Sequence, residues 1–223
     1  MTKIDQQALK IAVARAAAAE VPKGAILGIG TGSTVDCFID ALAEAGVQLQ
    51  AAISSSRRSS DRLQGLGFSV IELSALSEPM DLYIDGADEI DPNLCMIKGG
   101  GAALTQEKIV ASAARKFICI VDSSKRVDVL GKFPLPIEVI QSAINPVSWA
   151  IRALGGEPRL REGVLTDNGH PIIDVLGLKI HDPLDMETRL NQVPGIVTNG
   201  IFAIHRAHLA LVASPEGVIR VGR

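Results

Sequence analysis

Asp85, Asp88, Glu89 and Asp91 place four carboxylates within the seven residues Asp85-Gly86-Ala87-Asp88-Glu89-Ile90-Asp91. Acids this close repel one another unless a cation, a proton or a ligand offsets their charge. The cluster follows the apolar run Leu82-Tyr83-Ile84 and precedes Met96-Ile97-Lys98-Gly99-Gly100-Gly101. A metal site fits it poorly. The acids do not alternate around a sixth-position glycine as in a calcium loop, and His170, His181, His205 and His208 all lie far along the chain. Asp91-Pro92-Asn93 reads as a solvated turn. Asp85 and Asp88 instead follow directly on a buried strand, where water is scarce, and Lys98 and Lys125 can offset their charge. Carboxylates in unlike environments divide into acid and base roles.

Lys98-Gly99-Gly100-Gly101 is a costly stretch, because consecutive glycines lose backbone entropy on folding. It suits a place where backbone approaches a ligand closely or takes positive φ. A flexible connector is the alternative, and the neighbouring lysine and carboxylates favour a site.

Gly28-Ile29-Gly30-Thr31-Gly32-Ser33-Thr34 is not a dinucleotide fingerprint, since no glycine stands at position 33, and no Gly-Lys-Ser/Thr follows to make a P-loop. What remains is a loop of small residues and hydroxyls at a helix start, where N–H groups and the helix dipole favour an anion. A tight turn with a helix cap would read the same way. Ser54-Ser55-Ser56 and Asp122-Ser123-Ser124-Lys125 are two further polar loops following strands. Glu107, two turns beyond the glycines, reads by position alone as a surface charge paired with Lys108.

The elements that must position these residues follow from periodicity. Helices are expected at 6–19, 35–45 (capped by Ser33 or Thr34), 59–66 and 103–115. Strands are expected at 25–30, 51–53, 68–73, 81–84 and 117–121. Such alternation predicts a parallel sheet with helices on both faces, whose ligands bind beyond the carboxyl ends of the strands. After Lys125 the texture changes: a Pro-punctuated extended run at 133–140, a helix at 145–154, short strands at 159–161, 164–166 and 171–176, a helix at 183–190 and an extended stretch at 196–204. This order suggests a compact α+β unit. The apolar run 209–213 is expected to return to the first sheet. The expected domains are therefore 1–130, completed by 205–223, and 131–204.

Composition agrees with this architecture. Of the 223 residues, 47% are hydrophobic but only 3% aromatic, so the core rests on Val, Ile, Leu and Ala. A net charge of −3 without a basic cluster argues against a nucleic-acid partner. No stretch approaches the roughly 20 apolar residues of a membrane span. The N-terminal segment, broken by Lys10, Arg15 and Glu20, lacks the pattern of a signal peptide. Cys37, Cys95 and Cys119 have no paired spacing and read as small buried hydrophobes in a reducing compartment. The expectation is a soluble, cytoplasmic protein.

Taken together, GIGTGST, SSS, DGADEID, MIKGGGAALTQEK and KFICIVDSSK, with FPLPIEV and GVLTDNGHPIIDV downstream, resemble the ribose-5-phosphate isomerases of the A type over nearly the whole chain. The resemblance implies a Rossmann-like domain with a smaller α+β, ferredoxin-like domain, in a homodimer or homotetramer. It implies an aldose–ketose isomerase of the non-oxidative pentose phosphate pathway, interconverting ribose 5-phosphate and ribulose 5-phosphate through an enediolate, with no metal and no organic cofactor. Glu107 then becomes the general base, against its positional reading. Asp85, Asp88 and Lys98 become its catalytic companions, with Asp85 preferred for ring opening. The substrate-binding positions implied are Thr31, Gly32, Ser33, Thr34, Asp85, Gly86, Ala87, Asp88, Lys98, Gly99, Gly100, Gly101 and Lys125, while Glu89 and Asp91 are left as structural acids. One departure is Arg57-Arg58 after the serines, where the family commonly has a smaller or acidic residue and then threonine; exposed charge explains it more simply than phosphate contact.

Two other classes compete with this reading. A sugar-phosphate-sensing regulator of similar fold would need a DNA-reading module, and only about 24 residues precede the first expected strand. A coenzyme A transferase of related fold would use a glutamate as covalent nucleophile.

Overall fold

The computed structural model describes residues 5–222. Residues 1–4 and 223, which the expected first domain includes, lie outside them. In chain order the elements begin with α1 (Gln6–Ala18), β1 (Ile26–Ile29), α2 (Ser33–Glu44), β2 (Ala51–Ser54), α3 (Arg57–Gly65) and β3 (Leu82–Asp85). Then come β4 (Glu89–Ile90), β5 (Met96–Ile97), α4 (Leu104–Ser112), β6 (Phe117–Asp122) and β7 (Leu135–Val139). The chain closes with α5 (Ile144–Ala153), β8 (Glu157–Leu165), β9 (Pro171–Leu176), α6 (Pro183–Asn191), β10 (Ile196–Asn199), β11 (Ile201–Phe202), β12 (Leu209–Ser214) and β13 (Gly217–Gly222).

Contacts divide the chain into two units. The first holds the residues up to Ala87, Ile109–Lys125 and the residues from Ala207 on; the second holds Asp88–Lys108 and Arg126–Arg206. The segments 88–108, with the glycine run, and 126–130 thus group with the second unit, whereas the expected first domain runs through 130.

The first unit is an α/β, Rossmann-like sheet of order β13-β12-β6-β3-β1-β2. Every pairing is parallel except the β12–β13 hairpin at one edge. Because strand side chains alternate between faces, Leu27, Ile29, Leu82, Ile84, Ile118 and Ile120 share one face and pack with Val13, Phe38 and Leu42 of α1 and α2. Gly28 and Tyr83 lie on the other face, where a Cβ added to Gly28 would stand 3.1 Å from Val110 of α4. Helices therefore cover both faces. The 209–213 run does return to this sheet, as β12 alongside β6. The strand expected at 68–73 is only a single bridge, Ala52 to Val70, followed by a short 3₁₀ turn at Leu73–Ala75. Only its Ser69 and Ile71 bond across to the sheet edge, both at Ala52, which is too little to extend a ladder.

The second unit contains a βαββαβ run, β7-α5-β8-β9-α6-β10, whose four strands pair antiparallel in the order β10-β7-β9-β8. This is the ferredoxin-like arrangement, with Leu135, Ile137, Val147, Ile151, Ile173 and Leu190 in its core. The two strands expected at 159–161 and 164–166 are one, β8, whose register shifts between Leu160 and Leu165 around Gly163 at φ +69°. A small sheet, β11-β5-β4, adds two-residue strands that no periodicity could announce.

Candidate active site

In the first unit the strand order places β1 between β2 and β3, so the chain winds away in both directions from the β1–β3 pair. A crevice at such a reversal, beyond the strand carboxyl ends, is where open α/β sheets bind ligands. The loops after β1 and β3 meet there. Gly28 lies opposite Tyr83 in the register, and two residues further Gly30 lies beside Asp85. A Cβ on Gly30 would stand 1.9 Å from the Asp85 carboxyl carbon, so only glycine admits that side chain.

Asp85 is fully buried. Its Oδ1 accepts from the Thr31 N–H at 3.2 Å and the Gly86 N–H at 2.7 Å, and its Oδ2 accepts from the Tyr83 hydroxyl at 2.5 Å. Charge-assisted bonds of this kind hold a buried carboxylate that would otherwise be costly. Asp85 thereby fixes the loop that carries Thr31. The Ser56 hydroxyl caps α3 by accepting from Ser59 N–H and donates to the Thr31 hydroxyl at 3.0 Å, tying the loop after β2 to the same place.

The helix after this loop starts earlier than its pattern suggested. Gly32, at φ +106°, is its N-cap without a side-chain bond, and neither Ser33 nor Thr34 caps it. Ser33 instead occupies the first turn, exposed, with its Oγ 2.9 Å from the Lys10 ammonium. Sequence reasoning missed Lys10 as a site residue, because it sits 23 positions upstream, in the expected first helix. A cation, a hydroxyl and a helix N-terminus together make anion-binding chemistry. Lys125 ends a short 3₁₀ turn, Ser123–Lys125, after β6; Asp122 Oδ1 accepts from Ser124 N–H at 2.9 Å to shape it. Arg58 pairs with Asp36 on α2, its own side chain 69% exposed, which is the surface role expected for it.

The second unit holds the other group of residues. The β4–β5 hairpin brings Asp88 beside the start of the glycine run: the Asp88 N–H donates to Ile97 O at 2.9 Å, and Asp88 Oδ2 accepts from Gly100 N–H at 2.8 Å. A Cβ on Gly100 would fall 2.8 Å from Asp88 and 3.1 Å from Phe133. Gly99 takes φ +109°, so the run meets both reasons for glycine. Glu89 and Asp91 are structural acids. Glu89 accepts from Gly131 and Phe133 N–H groups, and Asp91 accepts from Asn93 and Cys95 N–H groups in the hairpin turn. Desolvation raises the Asp91 pKa above the usual aspartate value, opposed by those two bonds and by the Arg206 charge.

Lys98 and Glu107 form a buried ion pair at 3.3 Å, and the Lys98 ammonium also lies 5.5 Å from the Phe202 ring centre. Glu107 sits in the first turn of α4, where the helix dipole favours a carboxylate. Its side chain is not a surface charge, and Lys108 is not its partner. Lys108 bridges Glu187 at 2.5 Å and donates to Ile201 O at 2.6 Å. Burial lowers the Lys108 pKa, with Glu187 opposing that shift. Among the described residues no group of three or more His, Cys, Asp or Glu is placed to hold a metal ion.

The model of ribose 5-phosphate isomerase A (phosphoriboisomerase A) matches residues 51–217. The chain belongs to the ribose-5-phosphate isomerase A family. It is 58% identical to the ribose-5-phosphate isomerase A of Leptothrix cholodnii over 214 residues, 96% of this chain and 97% of that protein. The crystal structure of ribose 5 phosphate isomerase A from Neisseria gonorrhoeae superposes with a TM-score of 0.95 at 45% identity, covering 97% of each chain. A D-ribose-5-phosphate isomerase in complex with phospho-erythronic acid superposes at 0.94 with 37% identity, covering 99% of this chain and 100% of that one. The isomerase fold therefore extends over both units.

Proposed function

We infer that the chain is an aldose–ketose isomerase that interconverts D-ribose 5-phosphate and D-ribulose 5-phosphate. Within that reaction, the observation that carries the assignment of residues is the buried Lys98–Glu107 pair. A base and a cation held together out of water suit a proton transfer that leaves negative charge on oxygen.

The proposed course starts with ring opening. Asp85 takes the O1 proton as the C1–O4 bond breaks and passes that proton to the released ring oxygen, with Asp88 as the second carboxylate for hydroxyl protons. Glu107 then takes the proton from C2. The C–H electron pair forms the C1–C2 double bond, and O1 carries the negative charge of an enediolate. Lys98 stabilises that charge, O2 gives its proton to O1, and Glu107 returns its proton to C1 as C2 becomes the ketone. No electron leaves the substrate, so the reaction needs neither metal nor organic cofactor. Thr31 to Thr34, Gly86, Ala87, Gly99 to Gly101 and Lys125 are the proposed substrate contacts, and Lys10 joins Ser33 as a phosphate ligand. The relative that binds phospho-erythronic acid supports this course, because a carboxylate on a phosphorylated carbon chain shares the planar, delocalised negative charge of an enediolate.

The protein is proposed to act in the non-oxidative pentose phosphate pathway, in the cytoplasm, as a homodimer or homotetramer. No described helix is long and apolar enough to cross a membrane. The test is ketopentose formation from ribose 5-phosphate by purified protein with EDTA present. Steady conversion is expected; a folded protein that forms no ketopentose would overturn the function.

A further inference from the structure

Arg161 lies on β8, 60 or more positions from the glycines in sequence, and no part of the proton transfer uses it. Its guanidinium forks onto Asp174 of β9, with Nε 2.8 Å from Oδ2 and Nη2 2.5 Å from Oδ1. That bidentate clasp leaves Nη1 directed at the glycine run, 3.2 Å from Gly99 O and 3.2 Å from Gly100 O. The Arg161 side chain is 16% exposed and that of Asp174 22%, so water competes weakly for these bonds.

The consequence lies in peptide geometry. In a trans peptide the C=O and N–H point in opposite directions, and there are no cis bonds among the described residues. The Gly99–Gly100 peptide is held at both edges, its oxygen by Arg161 and by Ala102 N–H at 3.0 Å, its N–H by Asp88. The Gly100–Gly101 peptide is held by its oxygen on Arg161, which turns the Gly101 N–H the other way. Gly100 and Gly101 are both exposed, and nothing lies within 4 Å of where a Gly101 Cβ would be. Three glycines without such an anchor would sample many peptide orientations.

We propose that Arg161, clamped by Asp174, is a positioning residue that sets the Gly100–Gly101 peptide so that the Gly101 N–H donates to the developing oxyanion of the sugar phosphate. This rests on the isomerase reading for its ligand and on the Arg161–glycine geometry for its mechanism. A lysine cannot replace it: one ammonium cannot hold a carboxylate bidentately and reach two carbonyls as a fork does.

The test compares wild type with Arg161→Met, Arg161→Lys and Asp174→Asn. Thermal melting reads fold, kcat and KM for ribose 5-phosphate read function, and amide hydrogen exchange reads the glycine run. Arg161→Met is expected to lower kcat on the order of 10- to 100-fold, with KM changed far less, since misplacing a group by about an ångström has costs of that order. Arg161→Lys should be impaired alike, and exchange at Gly100 and Gly101 should quicken in all three variants. An Arg161→Lys variant with wild-type kcat, or folded Arg161→Met with unchanged kcat, would overturn the proposal. So would unchanged exchange at the glycines. If wild type fails to isomerise ribose 5-phosphate, the function falls separately, and exchange still decides whether Arg161 orders the loop.

Discussion

The Lys98 ammonium stands 3.3 Å from the Glu107 carboxylate, with 3% and 5% of the two side chains exposed. Removing one member of a buried pair strands the other charge, at a cost of about 3–5 kcal/mol, whereas removing both costs less. Lys98→Met is therefore expected to melt well below wild type, and Lys98→Met/Glu107→Gln to recover part of that loss. Calorimetry of the three proteins checks it; a double variant less stable than Lys98→Met would contradict the pairing.

Glycine is required at two places in the proposed site for different neighbours. Gly100→Ala drives a methyl into Asp88 and Phe133, and Gly30→Ala drives one into Asp85, while Gly101→Ala meets open space. The first two should lose activity on the order of 100-fold, as expected for a displaced reacting group. Gly101→Ala should keep its melting temperature within a few degrees. Loss of fold in Gly101→Ala alone would reverse this ranking.

Asp91 gives a pH prediction with a definite sign. Desolvation raises its folded pKa above 3.8, so between 3.8 and the folded value the native state holds a proton that the unfolded chain has released. Stability contributed by this group therefore falls as pH rises through that window. Asp91→Asn keeps an oxygen for the Asn93 and Cys95 N–H groups, removes the titration and flattens the slope. Urea midpoints measured from pH 4 to pH 7 should show the variant equal to or above wild type at pH 7. A lower midpoint at pH 7 would mean that Arg206 attraction outweighs desolvation.

Arg58 bridges Asp36 from a side chain that is 69% exposed. Exposed pairs contribute about 0–1 kcal/mol, and Arg57 is exposed as well. Arg57→Ala and Arg58→Ala should leave KM for ribose 5-phosphate within about twofold, since the proposed phosphate ligands lie elsewhere. A severalfold rise in KM at low salt would make one of them a phosphate contact.

What could be read from the sequence followed the range of its interactions. The parallel sheet was legible because β1, β3 and β6 are short apolar runs flanked by helical patterns, and β12 was too apolar to be anything but interior. Glycines 28 and 30 were legible as unusual, yet their reason, the Tyr83 and Asp85 side chains across the register, needs the pairing of two strands more than 50 residues apart. Glu107 was misleading by position: the adjacent Lys108 suggested a solvated pair, but consecutive helix residues point apart, and that lysine is taken by Glu187, 79 residues away. Only the family resemblance pointed to Glu107, and only the fold shows it buried. Lys10 and Arg161 gave no local signal, since what each touches is set by tertiary contact. The strands β4, β5 and β11 fell below the length at which alternation can be seen.

The proposed transfer of the proton by Glu107 is tested most directly by kcat of Glu107→Gln on ribose 5-phosphate, beside wild type and with the variant's fold checked. Glutamine keeps the shape and loses the base, so kcat should fall by roughly 10²–10⁴-fold with KM little changed. A folded Glu107→Gln within threefold of wild type would keep the reaction but assign its base to another residue.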